Sequence, residues 1–91
     1  MGRSAKQLDL EYQAALGAKV REARLHAKLT QEQLAFGAEL STRHVSDIEN
    51  GLSSPGAARV ARLARVLRLQ PGSLMPRIDL DTGRPTAREK I

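Results

Sequence analysis

The polar residues of segment 41–51 have the types and spacing needed to hydrogen-bond a ligand that presents both donors and acceptors. Val45 and Ile48 lie three residues apart, so they would share one face of a short helix and point into a core. The outward face then carries Thr42, Arg43, Ser46 and Asp47, with His44 toward one flank. The sequence therefore predicts an exposed face of hydrogen-bonding groups on a short helix.

Arg43 is the residue of this face best suited to reading a nucleic-acid base. Its planar guanidinium can donate two parallel hydrogen bonds to N7 and O6 of guanine. Asp47 can accept a hydrogen bond from N4 of cytosine, or it can orient Arg43 through an i,i+4 pair on the same helix. Of these two roles we favour the orienting one.

Residue types that could support catalysis or metal binding occur without the spacing that such sites need. His26 and His44 fall on different predicted helices, no carboxylates accompany them at ligand spacing, and the chain has no cysteine. Asp79 and Asp81 are too few for a calcium-binding loop, and the glycines form neither a P-loop nor a dinucleotide-binding fingerprint. The sequence therefore predicts no enzyme, no metal site and no cofactor.

Length and charge favour a small protein that binds a polyanion. The chain has 91 residues, enough for one small domain, and a formal net charge of +5. Tyr12 and Phe36 are its only aromatic residues, so stacking on single-stranded bases is disfavoured and duplex DNA suits the chain better than RNA. The absence of cysteine and of a long apolar run predicts a cytoplasmic protein with no disulfide, signal peptide or membrane contact.

Two further helices are predicted ahead of the polar face. Residues 1–10 show no sustained periodicity and predict a flexible N-terminal arm. Helix 1, over about 11–28, has an apolar stripe at helical spacing formed by Leu16, Val20, Ala23 and Ala27. Helix 2 begins after Thr30, an N-cap that forms a capping box with Gln33, and ends near Ala38. Helix 3, over 42–50, begins after the N-cap Ser41.

The rest of the chain predicts two more helices and a polar tail. Helix 4, over about 57–69, has a buried stripe of Val60, Leu63, Ala64 and Leu67. Its arginines, at intervals of three, fan over half the helix as a solvated face: Arg59, Arg62, Arg65 and Arg68. Pro71 begins a short helix 5, which completes a domain over 11–76. The tail, 77–91, is polar and predicted to be disordered, with a short edge strand at Ile78 and Leu80 as the minority alternative.

Segment 30–51 resembles the helix-turn-helix of the Xre or phage-repressor family, which includes Cro and lambda repressor. The matching residues are Thr30, Gln31, Glu32, Leu34, Ala35, Leu40, Ser41, Val45, Ser46, Ile48, Glu49 and Gly51. The resemblance extends over about 16–75. It implies an all-α, five-helix, lambda-repressor-like fold in which helices 2 and 3 form the helix-turn-helix. It also implies a sequence-specific transcriptional regulator, most often a repressor, that inserts helix 3 in the major groove of duplex DNA.

The family resemblance assigns roles to particular residues. It places Thr42, Arg43 and Asp47 at base-reading positions, beside the outward-facing Ser46. It places Gln31 and Asn50 at phosphate contacts. Ser41 is a further candidate because it lies at the start of helix 3, where exposed N–H groups and the helix dipole suit anions. The remaining candidates are His44, a neighbouring polar residue, and Arg59, the arginine of helix 4 best placed to reach a DNA backbone.

The resemblance further implies a buried ion pair and a dimer surface. Arg24 would pair with Glu49, the alternative being two solvated surface charges. The dimer surface would lie near Leu69, Leu74 and Met75, the alternative being that Met75 and its neighbours belong to the core. A single small module makes few contacts, so we expect a homodimer on a palindrome whose half-sites lie about 34–36 Å apart.

One residue departs from the family pattern, and two other functions stay open. The family usually has glycine at the turn position occupied here by Glu39, so either Glu39 adopts a positive φ or the turn differs. The first alternative function is an antitoxin that holds a partner toxin through the tail and regulates its own operon. The second is a restriction-modification controller, suggested by the run from Gln31 to Phe36.

Overall fold

The computed structural model describes residues 2–77, and within that range it contains helices and no strand. The five helices are α1 (Ala5–His26), α2 (Gln31–Ala38), α3 (Thr42–Glu49), α4 (Gly56–Leu67) and α5 (Pro71–Leu74). This confirms the predicted all-α, five-helix fold. The predictions for residues 78–91, including the disordered tail and the edge strand, lie outside the described residues.

The predicted N-terminal arm is wrong from Ala5 onward, because α1 begins there. Ser4 is its N-cap: the Ser4 hydroxyl accepts a hydrogen bond from the Gln7 backbone N–H, and the Gln7 side chain accepts from the Ser4 N–H. This capping box stabilises two turns that are mostly solvent-exposed, with Leu10 52% exposed. Apolar periodicity does not predict these two turns, because helical turns that bury few side chains need no apolar stripe.

The core lies where α1, α2, α3 and α4 meet, and α5 closes it against α4 and α1. α3 packs on both α1 and α2, and α2 packs on α4. The buried apolar side chains are Leu16, Val20, Leu34, Ala35, Ala38, Val45, Ile48, Val60, Leu63, Ala64, Leu67 and Leu74. Because α3 is anchored on two sides, its outer face has a fixed orientation.

No helix within residues 2–77 has the length and apolarity that crossing a membrane requires.

The turn between α2 and α3 takes the first of the two predicted forms. Glu39 adopts the left-handed conformation, with φ 59° and ψ 45°. The Leu40 N–H donates to the Ala35 carbonyl at 2.9 Å, which closes the end of α2. Arg62 also contributes, since its Nε donates to the Ala38 carbonyl at 2.9 Å. The prediction that Arg62 belongs to a purely solvated face is therefore wrong, because this half-buried arginine joins α4 to the end of α2.

The Glu39→Gly substitution should raise the free energy of unfolding by roughly 0.5–1 kcal/mol. Relief of left-handed strain contributes about 1–2 kcal/mol, and the greater freedom of glycine in the unfolded chain offsets part of it. Urea denaturation followed by circular dichroism measures the change. Glu32→Gly, which alters an exposed glutamate inside α2, is the matched control and should lower stability by about 1 kcal/mol. A loss of stability in both variants would contradict the strain at Glu39.

Candidate DNA interface

α3 presents its polar face because two residues fix its other face in the core. Val45 and Ile48 are both 0% exposed. At the N-terminus the Ser41 hydroxyl accepts from the His44 backbone N–H at 2.9 Å, so the helix is capped at its predicted start. Thr42 is exposed, as predicted for an outward-facing residue.

The Arg43 guanidinium extends into solvent beside a carboxylate on the next turn. Its side chain is 87% exposed, and its Nε lies 3.9 Å from Oδ2 of Asp47, which is 39% exposed. The distance is that of an ion pair without a hydrogen bond, so the donors of Arg43 stay available to a ligand. This geometry is compatible with the hypothesis that the Asp47 carboxylate orients the Arg43 side chain. Ser46 is half-buried next to Asp47.

Four of the five phosphate candidates lie at the two ends of α3 and on α4. Ser41 and His44 lie at its N-terminus, where His44 Nε2 is 3.4 Å from the hydroxyl of Ser53. Asn50 is exposed at its C-cap. Arg59 is exposed in the first half of α4, with its Nη1 donating to the Pro55 carbonyl at 3.4 Å. The contact between His44 and Ser53 could not be predicted, because no sequence motif relates the two residues.

Gln31, the fifth phosphate candidate, is tied to the far end of α3. Its Nε2 donates to Glu49 Oε1 at 3.0 Å, and the residue is half-buried. This bond could not be predicted from the sequence, because the two residues lie 18 positions apart and no periodicity relates them. The bond joins the first residue of α2 to the last residue of α3.

Arg24 and Glu49 form the predicted buried ion pair. Arg24 Nε lies 2.7 Å from Glu49 Oε2, and Arg24 Nη2 lies 3.1 Å from Oε1. The side chains are 9% and 0% exposed. Arg24 Nη1 also donates to the Leu29 carbonyl at 2.9 Å, in the loop before α2. The hydrogen bond with Glu49 raises the pKa of the Arg24 guanidinium above its ordinary value despite the opposing effect of burial.

The predicted dimer surface needs one correction. Leu74 is 1% exposed and belongs to the core of its own chain, so assigning it to a dimer interface is wrong. A four-residue helix buries the one apolar side chain that faces the core, and Leu74 holds that position. Leu69 and Met75 are 39% and 37% exposed and stay candidates for such a surface.

The family model described as Helix-turn-helix, HTH_3, matches residues 20–74, which include α2, α3, α4 and α5. The chain belongs to the HTH_3 family. It is thus a helix-turn-helix, DNA-binding transcription regulator of the Xre and phage-repressor type. Proteins of the HTH_3 family are transcriptional regulators and not enzymes.

Two relatives of this HTH_3 chain are control proteins. It is 35% identical over 60 residues to control protein C.BamHI of Bacillus amyloliquefaciens. The matched segment covers 65% of this chain and 74% of the relative. The crystal structure of the restriction-modification controller protein C.AhdI from Aeromonas hydrophila superposes with a TM-score of 0.68 and 30% identity, covering 69% of this chain and 96% of that one. The DNA-binding domain of the P22 C2 repressor shares the fold, with a TM-score of 0.63, 24% identity and coverage of 65% of this chain and 78% of that one.

Proposed function

We propose that this HTH_3 chain reads a specific sequence of duplex DNA by inserting α3 in the major groove. The observation that carries the proposal is the outer face of α3, where Arg43 is 87% exposed and lies beside Asp47 on a helix anchored by the core. The major groove admits an α-helix, and there each base pair presents a distinct pattern of donors and acceptors. Thr42 and Ser46 complete the base-reading set.

The residues around α3 would hold the DNA backbone. Donors for phosphate lie within α3, at its two caps, and on α2 and α4; they belong to His44, Ser41, Asn50, Gln31 and Arg59. Contacts to phosphate fix the position of a recognition helix and carry no sequence information themselves. The net charge of +5 supports this binding, because each neutralised phosphate releases condensed counterions.

The biological role supported best is that of a controller of a restriction-modification system. The support is the similarity to C.BamHI and C.AhdI, at 35% and 30% identity. Such a regulator would act on DNA in the cytoplasm, as a repressor when its site overlaps a promoter. A homodimer would bind an inverted repeat with half-sites about 34–36 Å apart, and Leu69 and Met75 supply exposed apolar surface for the contact.

Selection from a random duplex pool at about 150 mM salt tests the proposal, since this salt weakens non-specific attraction. Enrichment of an inverted repeat with half-sites one turn apart is the expected result. Analytical ultracentrifugation with the selected duplex gives the number of chains per site. Failure to enrich any sequence, with affinity that depends on salt alone, would contradict sequence-specific binding by this chain.

The Arg43→Ala substitution should lower affinity for the selected site by about 1–3 kcal/mol and relax the preference at one base position. The reason is the loss of a bidentate contact with a base. Fluorescence anisotropy against the site and its single-base variants measures both effects. Arg65→Ala removes the same charge from an exposed position in the last turn of α4 and is the matched control. An equal loss on every duplex would make Arg43 a phosphate contact instead.

A further inference from the structure

The carboxylate of Glu49 lies at the centre of a buried hydrogen-bond network. Its Oε2 accepts from Arg24 Nε at 2.7 Å. Its Oε1 accepts from Arg24 Nη2 at 3.1 Å and from Gln31 Nε2 at 3.0 Å. The Glu49 side chain is 0% exposed, whereas Gln31 is only half-buried. Gln31 is thus the member through which the network reaches the surface.

We propose that Glu49 is a positioning residue for DNA binding, which fixes the carboxamide of Gln31 in the orientation that contacts a phosphate. The proposal rests on the proposed function, because it takes Gln31 to be a backbone contact. It assigns Glu49 a role in affinity that is additional to its part in the ion pair.

The chemistry of the two groups determines which way the amide points. An ionised carboxylate only accepts hydrogen bonds, whereas an amide has one oxygen acceptor and two N–H donors. Rotating the Gln31 amide by half a turn would place its oxygen against Glu49 Oε1, so this orientation is disfavoured. The bond to Glu49 therefore uses one N–H of Nε2 and leaves the second N–H as a donor for a phosphate oxygen.

Two further properties of the network favour binding of an anion at Gln31. The Arg24 guanidinium neutralises the Glu49 charge through two hydrogen bonds, so the network does not carry an uncompensated negative charge. Anchoring also restricts the Gln31 side chain before DNA arrives. The conformational entropy of that side chain is then lost during folding and not during binding, which raises the affinity for DNA.

The competing explanation is that Glu49 only stabilises the fold and has no role in positioning Gln31 for DNA binding. The same network joins α1, the loop at Leu29, α2 and α3, so a loss of DNA affinity in a Glu49 variant alone would not separate the two roles. A double-mutant cycle separates them, because a positioning residue acts on DNA only through the residue that it positions.

The cycle uses Q31M and the paired replacement R24M/E49M, in the full chain. In Q31M the methionine side chain keeps the length of glutamine and removes its donors. The paired replacement removes the anchoring carboxylate without stranding a buried charge, because apolar residues of similar volume often substitute for a buried ion pair without loss of stability. Circular dichroism and thermal melting establish that each variant is folded. Q13M, at a half-buried glutamine of α1, is the matched control.

Affinity for the selected duplex is the first readout. Q31M should weaken binding by about tenfold in the native background, which is the usual effect of one hydrogen bond of this kind. In the R24M/E49M background, Q31M should change affinity by less than about twofold, because the amide there is no longer held toward the phosphate. Q13M should have no effect. An equal tenfold loss from Q31M in both backgrounds would overturn the proposal.

The second readout needs no DNA and so stands apart from the proposed function. Amide ¹⁵N–¹H spectra of the native chain should show one side-chain N–H₂ pair, absent from Q31M, with a downfield-shifted proton and slow hydrogen exchange. In R24M/E49M this pair should move to the shifts of a free glutamine. A Gln31 pair that is the same in both proteins would overturn the anchoring by Glu49. If the anchoring is observed and the native chain binds no DNA, the proposed function fails and the role of Glu49 in DNA binding fails with it.

Discussion

Replacing Glu49 with glutamine should lower the free energy of unfolding by about 3–5 kcal/mol. Glutamine keeps the shape of the side chain and removes its charge, which leaves the Arg24 guanidinium uncompensated at a site where its side chain is 9% exposed. Desolvation of an unpaired charge is the reason for the large effect. Urea denaturation at neutral pH, followed by circular dichroism, measures it.

The chain contains a matched control for this prediction. Arg3 and Glu11 form an ion pair with the same Nε–Oε2 distance of 2.7 Å, but both side chains are 32% exposed. Glu11→Gln should therefore cost at most about 1 kcal/mol, because solvent screens the pair and hydrates either charge left alone. High salt should reduce the effect of Glu11→Gln and leave that of Glu49→Gln nearly unchanged. Equal losses from the two substitutions would show that burial is not the cause.

The helix-turn-helix could be predicted from sequence to within one residue, because its boundaries depend on local chemistry. Thr30 with Gln33 and Ser41 are capping residues that act within a single turn. The left-handed Glu39 was also anticipated as one of two alternatives, from the position where the family has glycine. Signals of this kind need only neighbouring residues, so a sequence shows them directly.

The start of α1 was missed although the same local signal was present. Ser4 and Gln7 form a capping box of the same type as Thr30 and Gln33. The prediction relied on apolar periodicity, which the first turns of α1 lack because they are mostly exposed. Capping residues are therefore a better indicator than periodicity for a helical segment that buries little.

Contacts between distant residues account for the other differences. The Gln31–Glu49 bond and the Arg62–Ala38 bond span 18 and 24 positions, and each depends on how two helices cross. The family resemblance supplied the Arg24–Glu49 pair, which spans 25 positions, but it gave no indication of these two. Leu74 was misassigned because a four-residue helix is too short for periodicity to separate its buried face from its exposed face.

The close approach of α1 and α3 gives the second prediction with a large effect, at Gly17. A Cβ atom at this position would overlap the Ile48 carbonyl oxygen and lie 2.8 Å from the Glu49 carbonyl oxygen. Both atoms belong to the α3 backbone, so no side-chain rotation relieves the overlap. Gly17→Ala should therefore lower the free energy of unfolding by about 3 kcal/mol or more, at the upper end of the cost of overpacking.

Gly72→Ala is the control for Gly17→Ala, because a Cβ at Gly72 meets no atom within 4 Å. It should leave stability unchanged or raise it by up to about 1 kcal/mol, since alanine restricts the unfolded chain and favours the helix. Thermal melting of both variants measures the difference. A small effect of Gly17→Ala would require α3 to move away from α1 at little cost, carrying with it the outer face that we propose reads DNA. Such a variant would fold normally but bind the selected duplex weakly. If the α1–α3 contact is instead rigid, the variant loses folding and DNA binding together.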